Sequence, residues 1–452
     1  MSAEPQFAWR VTEATSKEPL TGVREAGAGL SLTPARLRVW GMRSGFALLD
    51  QGLTSGAGFG VNLLLARWMP AEVYGAFVLA FAGFLFISGF YNVLLLDPMS
   101  VMGPSRHAER LPAYFRVQIA IHTVLVGALS VGTLLTSLVL WRIAPGSLLT
   151  RAIVGAGLAL PFLLLLWLAR RMCYVVQRPS IAVAGSSFYL AFIVGGLTLL
   201  GHYERLGAFT AFALMGIGSI LASALLVWRL RLLECEAVTK APISWQVALR
   251  ENWTYGRWLM LTTSLSWTTF QAQTFLAASF LGLASAGALR AIQLPSLAMT
   301  QVISATALLV LPSMSQELGN GNVARLRKKA IITTVCLTAL GIVFVAGLFL
   351  FAAPLEKLLF GGKYASSAWL IPVLGLVPVF TGFSVSLCLA LRVLLKSHLE
   401  LIACAFSAAT ALALAILLMP RWGLIGAAAS IVGSTAVLAI AVLICFLKWG
   451  NE

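Results

Sequence analysis

"LLDQGLTSGAGFGVNLLLARWMPAEVYGAF" runs from Leu48 to Phe77. Gln51, Ser55, Gly58 and Asn62 recur at i, i+4, i+7 and i+11, so they share one face of a mostly apolar helix. A short turn around Met69–Pro70 follows, and a second apolar run starts at once. Polar atoms inside a long apolar helix are costly to place in lipid unless they face a cavity or a partner. The stretch therefore reads as a spanning helix with one cavity-facing stripe, turning directly into a second span.

The rest of the chain fits that reading. Its 452 residues are 59% hydrophobic and only 11% charged, with a mean hydropathy of +0.91. A soluble domain is about a quarter charged. With about 20 apolar residues needed per span, twelve segments qualify, from 45–66 to 422–447. The formal charge of +16 is unevenly placed. If the N-terminus is cytoplasmic, the inside connections hold 24 Lys and Arg against 7 outside. That imbalance predicts both termini inside and favours an anionic leaflet over nucleic acid as the reason for the charge.

The longest inside connection falls midway, with six spans on either side. Moving the helix 1 stripe by 213 residues reaches Ser264, Thr268, Gln271 and Phe275, three of them polar. The next helices align as well: "RWMPAEVYGAFVLAF" (Arg67–Phe81) with "SFLGLASAGALRAIQ" (Ser279–Gln293). An even number of helices per half keeps both halves in the same orientation. The expected fold is an all-α polytopic membrane protein of about twelve spans, in two six-helix bundles with a parallel pseudo-two-fold repeat around a central cleft. The expected divisions are a disordered cytoplasmic tail over 1–38, bundles over 39–228 and 257–452, and a cytoplasmic linker over 229–256.

The sequence lacks the HExxH, GxSxG and phosphate-loop patterns, so no enzyme and no cofactor is expected. "FGGKY" (Phe360–Tyr364) lacks the upstream glycine and the Ser/Thr of a phosphate loop, and "GAGFG" (Gly56–Gly60) lies mid-helix. The six cysteines have no CxxC spacing and fit packing better than disulfides or zinc.

The informative residues are the polar ones within spans. Arg290, in "GALRAIQLPS" (Gly287–Ser296), has two readings: a side chain snorkelling to the outer interface, or a cleft-facing cation for an anionic substrate. The matching place in the first half, near Phe77, has no charge. Asp50 pairs with an inside arginine, Arg43 or another, or serves as a protonation or cation site. Trp267, among Ser and Thr residues in mid-helix, either stacks on a sugar ring or packs. Gln51, Ser55, Asn62, Thr268 and Gln271 complete the expected cleft lining. Arg67 and Lys363 read as outside-loop charges that could rim a mouth.

Three stretches resemble the Wzx-like polysaccharide and O-antigen flippases of the MOP (multidrug/oligosaccharidyl-lipid/polysaccharide) exporter superfamily. They are Leu48–Phe77 as quoted, "ASAGALRAIQLPSLAMTQVISATALLVLPSMS" (Ala284–Ser315) and "LEKLLFGGKYASSAWLIPVLG" (Leu355–Gly375). The resemblance implies two bundles opening alternately to either side of a bacterial inner membrane. It implies an isoprenoid-pyrophosphate-linked oligosaccharide as cargo and assembly proteins such as a polymerase as partners. Family members carry cationic cleft residues, and Arg290 is the position that matches. A cation-coupled multidrug exporter of the same superfamily is the alternative.

Overall fold

The computed structural model describes residues 34–230, 243–257, 259–394 and 396–449. The chain divides into two compact units, Met1–Gly45 and Phe46–Glu452. The first is described only where helix α1 opens at Pro34, so residues 1–33 of the expected tail lie outside the described residues.

The described backbone is helical. The first half comprises α1 (Pro34–Trp68), α2 (Ala71–Tyr91), α3 (Asp97–Arg106), α4 (Leu111–Ile143), α5 (Leu148–Val175), α6 (Pro179–His202) and α7 (Ala208–Arg229). A π-helical turn, Asn92–Leu96, joins α2 to α3, so the two form one span. A short helix α8 (Trp245–Gly256) comes next. The second half comprises α9 (Leu259–Leu281), α10 (Leu283–Gly319), α11 (Val323–Phe360), α12 (Leu370–Val393), α13 (Ser397–Trp422) and α14 (Leu424–Trp449). Among the described residues, nine helices are long and apolar enough to cross a membrane. With α2 and α3 taken together, the described residues form six long helices, a short helix and six more.

Local signals explain the boundaries. Ser147 accepts the Thr150 N–H at 3.1 Å and starts α5, as an N-cap should. Asn322 does the same for α11. Gly361, at φ 70°, ends α11 in the left-handed conformation that glycine adopts without strain. Within each half, small residues let backbones approach: Gly216 lies over Ala159 between α7 and α5, and Gly341 lies over Val379 between α11 and α12. Such contacts replace the hydrophobic drive that helices lack in lipid. In the first half α5 packs on α2, α4 and α7. In the second α12 packs on α10, α11 and α14, and α13 packs on α9 and α14. The halves meet through α2, which packs on α9 and α10.

The basic connections gather at one end of the helices, called here the basic end. The α1–α2, α4–α5, α9–α10 and α11–α12 connections lie at the opposite, far end.

Candidate functional site

Four helices, α1, α2, α9 and α10, carry the expected cleft residues. Their far ends are closed. The repeat-equivalent residues of α2 and α10 abut: a Cβ on Gly75 would lie 1.8 Å from the Leu283 carbonyl oxygen, and one on Gly287 would lie 2.5 Å from that of Ala71. The far-end connections fasten the halves together. The Lys363 ammonium donates to the carbonyls of Ala66, Arg67 and Met69 at 2.9, 2.7 and 2.6 Å. The Tyr364 hydroxyl donates to Ala66 at 3.3 Å. In return, the Arg67 guanidinium donates to the Leu358 carbonyl at 3.0 Å. Each half thus supplies a cation to the C-terminal carbonyls of a helix in the other, where the helix dipole is negative. Glu356, fully buried, accepts the Tyr364 N–H at 2.8 Å and holds the FGGKY turn in place.

Arg290 lies seven residues into α10, just beyond this closed seam. It makes no hydrogen bond or ion pair among the described residues. Leu289, Ala291 and Ile292 beside it are fully buried, while Arg290 keeps part of its surface accessible although it sits deep among protein atoms. It therefore sits in the packed region beside α2 with part of its side chain accessible. Tyr74 of α2 is the ionisable group within its electrostatic reach. The Tyr74 hydroxyl donates to Asn62 Oδ1 of α1 at 3.3 Å. Arg290, Tyr74 and Asn62 thus link three helices drawn from both halves.

The α1 stripe is not uniform. Gln51 and Gly58 are exposed, and Cβ atoms added at Gly52, Gly56 or Gly58 would meet nothing within 4 Å. Ser55 reaches Gln301 of α10 at 3.4 Å, a polar contact between the halves. Asn62 is buried, held by Tyr74 and by the Gly58 carbonyl. On α9, Thr268 returns its hydroxyl to Ser264, and Gln271 is half-buried. Trp267 turns toward α2. Its indole N–H donates to the Ala82 carbonyl at 3.1 Å, and its ring lies 4.8 Å from Phe86 and 5.5 Å from Phe275.

Asp50 belongs to a separate cluster inside the first half. It is fully buried. It accepts from Arg170 Nη2 of α5 at 2.6 Å, and from the hydroxyls of Tyr174 and Ser186 at 2.5 Å each. Its partner is thus an inside arginine on another helix, 120 residues along the chain, and Tyr174 and Ser186 carry no signal in sequence either. Next to it, Arg171 donates to Asn92 Oδ1 at 3.0 Å, at the π-helical turn.

Sequence reasoning also missed Tyr74 and Gln301. Both are single polar groups in apolar runs and matter only through what faces them across the halves.

Residues 205–369 match a family model described as a polysaccharide biosynthesis protein. No curated protein matches. Solved structures match over nearly the whole chain. An inward-facing multidrug resistance MATE family transporter of the MOP superfamily is 13% identical, with a TM-score of 0.71, over 90% of this chain and 97% of that one. The lipid II flippase MurJ in an inward closed conformation is 14% identical, with a TM-score of 0.66, over 90% and 87%. The eukaryotic MATE transporter AtDTX14 is 16% identical, with a TM-score of 0.61, over 91% and 96%. The chain has the two-lobed helical fold of these membrane transporters, and with the family-model match it resembles the Wzx-like flippases of the MOP superfamily.

Proposed function

We propose that this protein is a flippase. It carries an isoprenoid-pyrophosphate-linked oligosaccharide across a bacterial inner membrane, by alternating access, for surface polysaccharide assembly. In this reading the basic end is cytoplasmic, both termini lie inside, and the far end is the closed outer mouth. Polymerase and other assembly proteins receive the product.

One observation carries the reading: Arg290 is a part-accessible guanidinium with no hydrogen bond or ion pair among the described residues, on the helix that abuts α2 of the other half. An arginine without a partner in a spanning helix is costly, and its planar, permanently charged fork fits a diphosphate. The amide and hydroxyl groups of Gln51, Ser55, Gln271 and Gln301 supply contacts for sugar hydroxyls. A drug exporter that takes organic cations needs a free carboxylate, and Asp50 is engaged by Arg170. A coupling role for Asp50 is part of the proposal, exercised through that ion pair.

The test is binding and flipping of a polyprenyl-diphosphate-linked sugar in proteoliposomes. Losing a charge-assisted contact of about 1.5–3 kcal/mol lowers affinity by about ten- to a hundredfold. Arg290→Ala is expected to lose that much with normal protein levels, and Arg290→Lys to recover only part of it. Equal rescue by lysine, with little effect of alanine, is the behaviour of a snorkelling side chain and rejects the assignment.

A further inference from the structure

The helices of the first half alternate in direction, so the α6–α7 connection, residues 203–207, also lies at the far end. A cavity of about 690 Å³ opens there, within the first half. The end of α1, the starts of α2, α5 and α7, and the α6–α7 connection enclose it. It is separate from the cleft: neither Arg290 nor the polar stripes of α1 and α9 line it.

Two charged residues of opposite sign line this hollow, Arg151 at the start of α5 and Glu204 in the α6–α7 connection. Among the described residues neither side chain makes a hydrogen bond or ion pair, with the other or with anything else. The hydroxyl of Thr210 is already used. It accepts the Gly207 N–H at 2.8 Å and donates to the Gly207 carbonyl at 3.0 Å. Two aromatic rings belong to the wall as well, Trp68 and Phe209, which are 40% and 42% exposed.

The backbone makes room for this set. Gly201 lets the Trp68 ring lie on the end of α6, since a Cβ there would sit 2.7 Å from it. Glu204 closes α6 at φ 53°, with its N–H on the Gly201 carbonyl and the Arg205 N–H on that of Leu200. Glycine fills such a position without strain. The helix end gains nothing from a glutamate there, and the cavity gains a carboxylate in its wall.

We propose that this cavity is a saccharide-binding site, distinct from the transport cleft. An aromatic ring offers an apolar surface to the C–H face of a sugar. A guanidinium and a carboxylate supply the donors and acceptors that sugar hydroxyls need. The two opposite charges disfavour other occupants. An anion meets Glu204, an organic cation meets Arg151, and an acyl chain desolvates both without pairing either. A neutral polyhydroxyl ligand satisfies both at once. The volume falls within the range of about 300–1,000 Å³ usual for small-molecule sites. The sugar chemistry stands on these residues alone, whereas the outward direction of the cavity rests on the flippase reading. Trp68 lies between Arg67 and Met69, whose carbonyls accept Lys363, so the site adjoins the closed mouth through which a delivered glycan leaves.

The test presents the detergent-purified protein to an array of immobilised, lipid-free oligosaccharides from bacterial surface polysaccharides. The wild type is expected to bind at least one. Trp68→Ala and Arg151→Gln are each expected to weaken that binding at least tenfold. Glu204→Gly is expected to weaken it as much while the melting temperature holds or rises, because glycine suits φ 53°. That variant separates loss of the carboxylate from loss of the fold. Arg290→Ala removes the diphosphate contact of the cleft and should leave the glycan bound as before. Binding lost in Arg290→Ala and kept in the cavity variants would put the sugar in the cleft and overturn the site. A wild type that retains no glycan overturns it too. So does a melting temperature raised through Glu204 by phosphatidylethanolamine with no glycan bound, which would make the cavity a lipid-headgroup site. Flipping of a polyprenyl-diphosphate-linked sugar without glycan binding here rejects this site alone, and the reverse result rejects the flippase reading alone.

Discussion

Gly75 and Gly287 face each other across the two halves: a Cβ on Gly287 would lie 2.9 Å from the Gly75 backbone nitrogen. The contact is reciprocal. Gly75 meets Leu283 and Gly287 meets Ala71, and each pair is matched by the repeat. That is the geometry of a two-fold axis passing between α2 and α10. With no side chain on either glycine, the backbones close the far end at the axis itself. Gly75→Ala places a methyl 1.8 Å from the Leu283 carbonyl oxygen, so the backbones must separate. Such overpacking costs about 1–3 kcal/mol. The expected outcome is a shift toward the far-end-open state, read as a longer spin-label distance across the α1–α2 and α9–α10 connections. An unchanged distance distribution counts against the glycine contact as the closing surface.

The Lys363 clamp leads to a related expectation with a different sign of cause. Removing it subtracts attraction, whereas Gly75→Ala adds repulsion. Lys363→Met frees three carbonyls at the end of α1, a helix-terminus interaction of about 1–2 kcal/mol. The far-end-open population should rise about five- to thirtyfold. A membrane-impermeant label at a cysteine placed beside Arg290 would react faster in the variant, with the fold and melting temperature nearly unchanged. If the labelling rate stays the same, the clamp does not hold the mouth.

Asp50 and Arg170 form a buried pair, and removing one partner leaves the other charge uncompensated, at about 3–5 kcal/mol. Asp50→Asn is therefore expected to lower thermal stability markedly. The double variant Asp50→Asn/Arg170→Met should regain much of the loss. Separately, the proposed coupling role predicts that the double variant, though folded, transports without dependence on an ion gradient. If it keeps its full gradient response, the pair is structural only. Additive melting-temperature losses would show that the two residues do not act as a pair.

Most spans were readable because they are long apolar runs, and the two halves because the longest connection falls midway and the helix 1 stripe recurs 213 residues on. Less was readable wherever a residue's role depends on another helix. Asp50 signals a buried acid, but Arg170 lies among several basic residues at helix ends, and only packing selects it. Trp267 sits in a hydroxyl-rich stretch that fits a sugar platform, yet its indole bonds the α2 backbone. FGGKY failed as a phosphate loop for sound reasons. Its lysine instead serves the carbonyls of a helix nearly three hundred residues earlier, a relation no local pattern encodes. α8 was hidden within the linker because it is too short and too polar to stand out as a span.

That short helix gives a pH prediction. Ala248, Asn252 and Gly256 recur at i, i+4 and i+8 and are buried, so one face of α8 is docked. Asn252 and Gln118 of α4 exchange amide hydrogen bonds. Gly256 fits against the Val93 carbonyl of the π-helical turn. Glu251 holds the flank, accepting from Arg106 at 3.0 Å and meeting His107 Nε2 at 3.1 Å. Burial alone would raise the Glu251 carboxyl, but the hydrogen bonds and charges of His107 and Arg106 outweigh it and hold the carboxyl below the usual glutamate range. A depressed carboxylate stabilises the docked state above its unfolded value, and the contribution disappears as pH falls through the folded one. α8 should therefore stay docked at neutral pH and loosen only below the ordinary glutamate range. Hydrogen exchange of α8 amides, corrected for the intrinsic pH dependence, would show protection falling on acidification. In Glu251→Gln the protection should be lower at neutral pH and lose that acid step. An acid step of the same size in the variant would assign the loosening to another group.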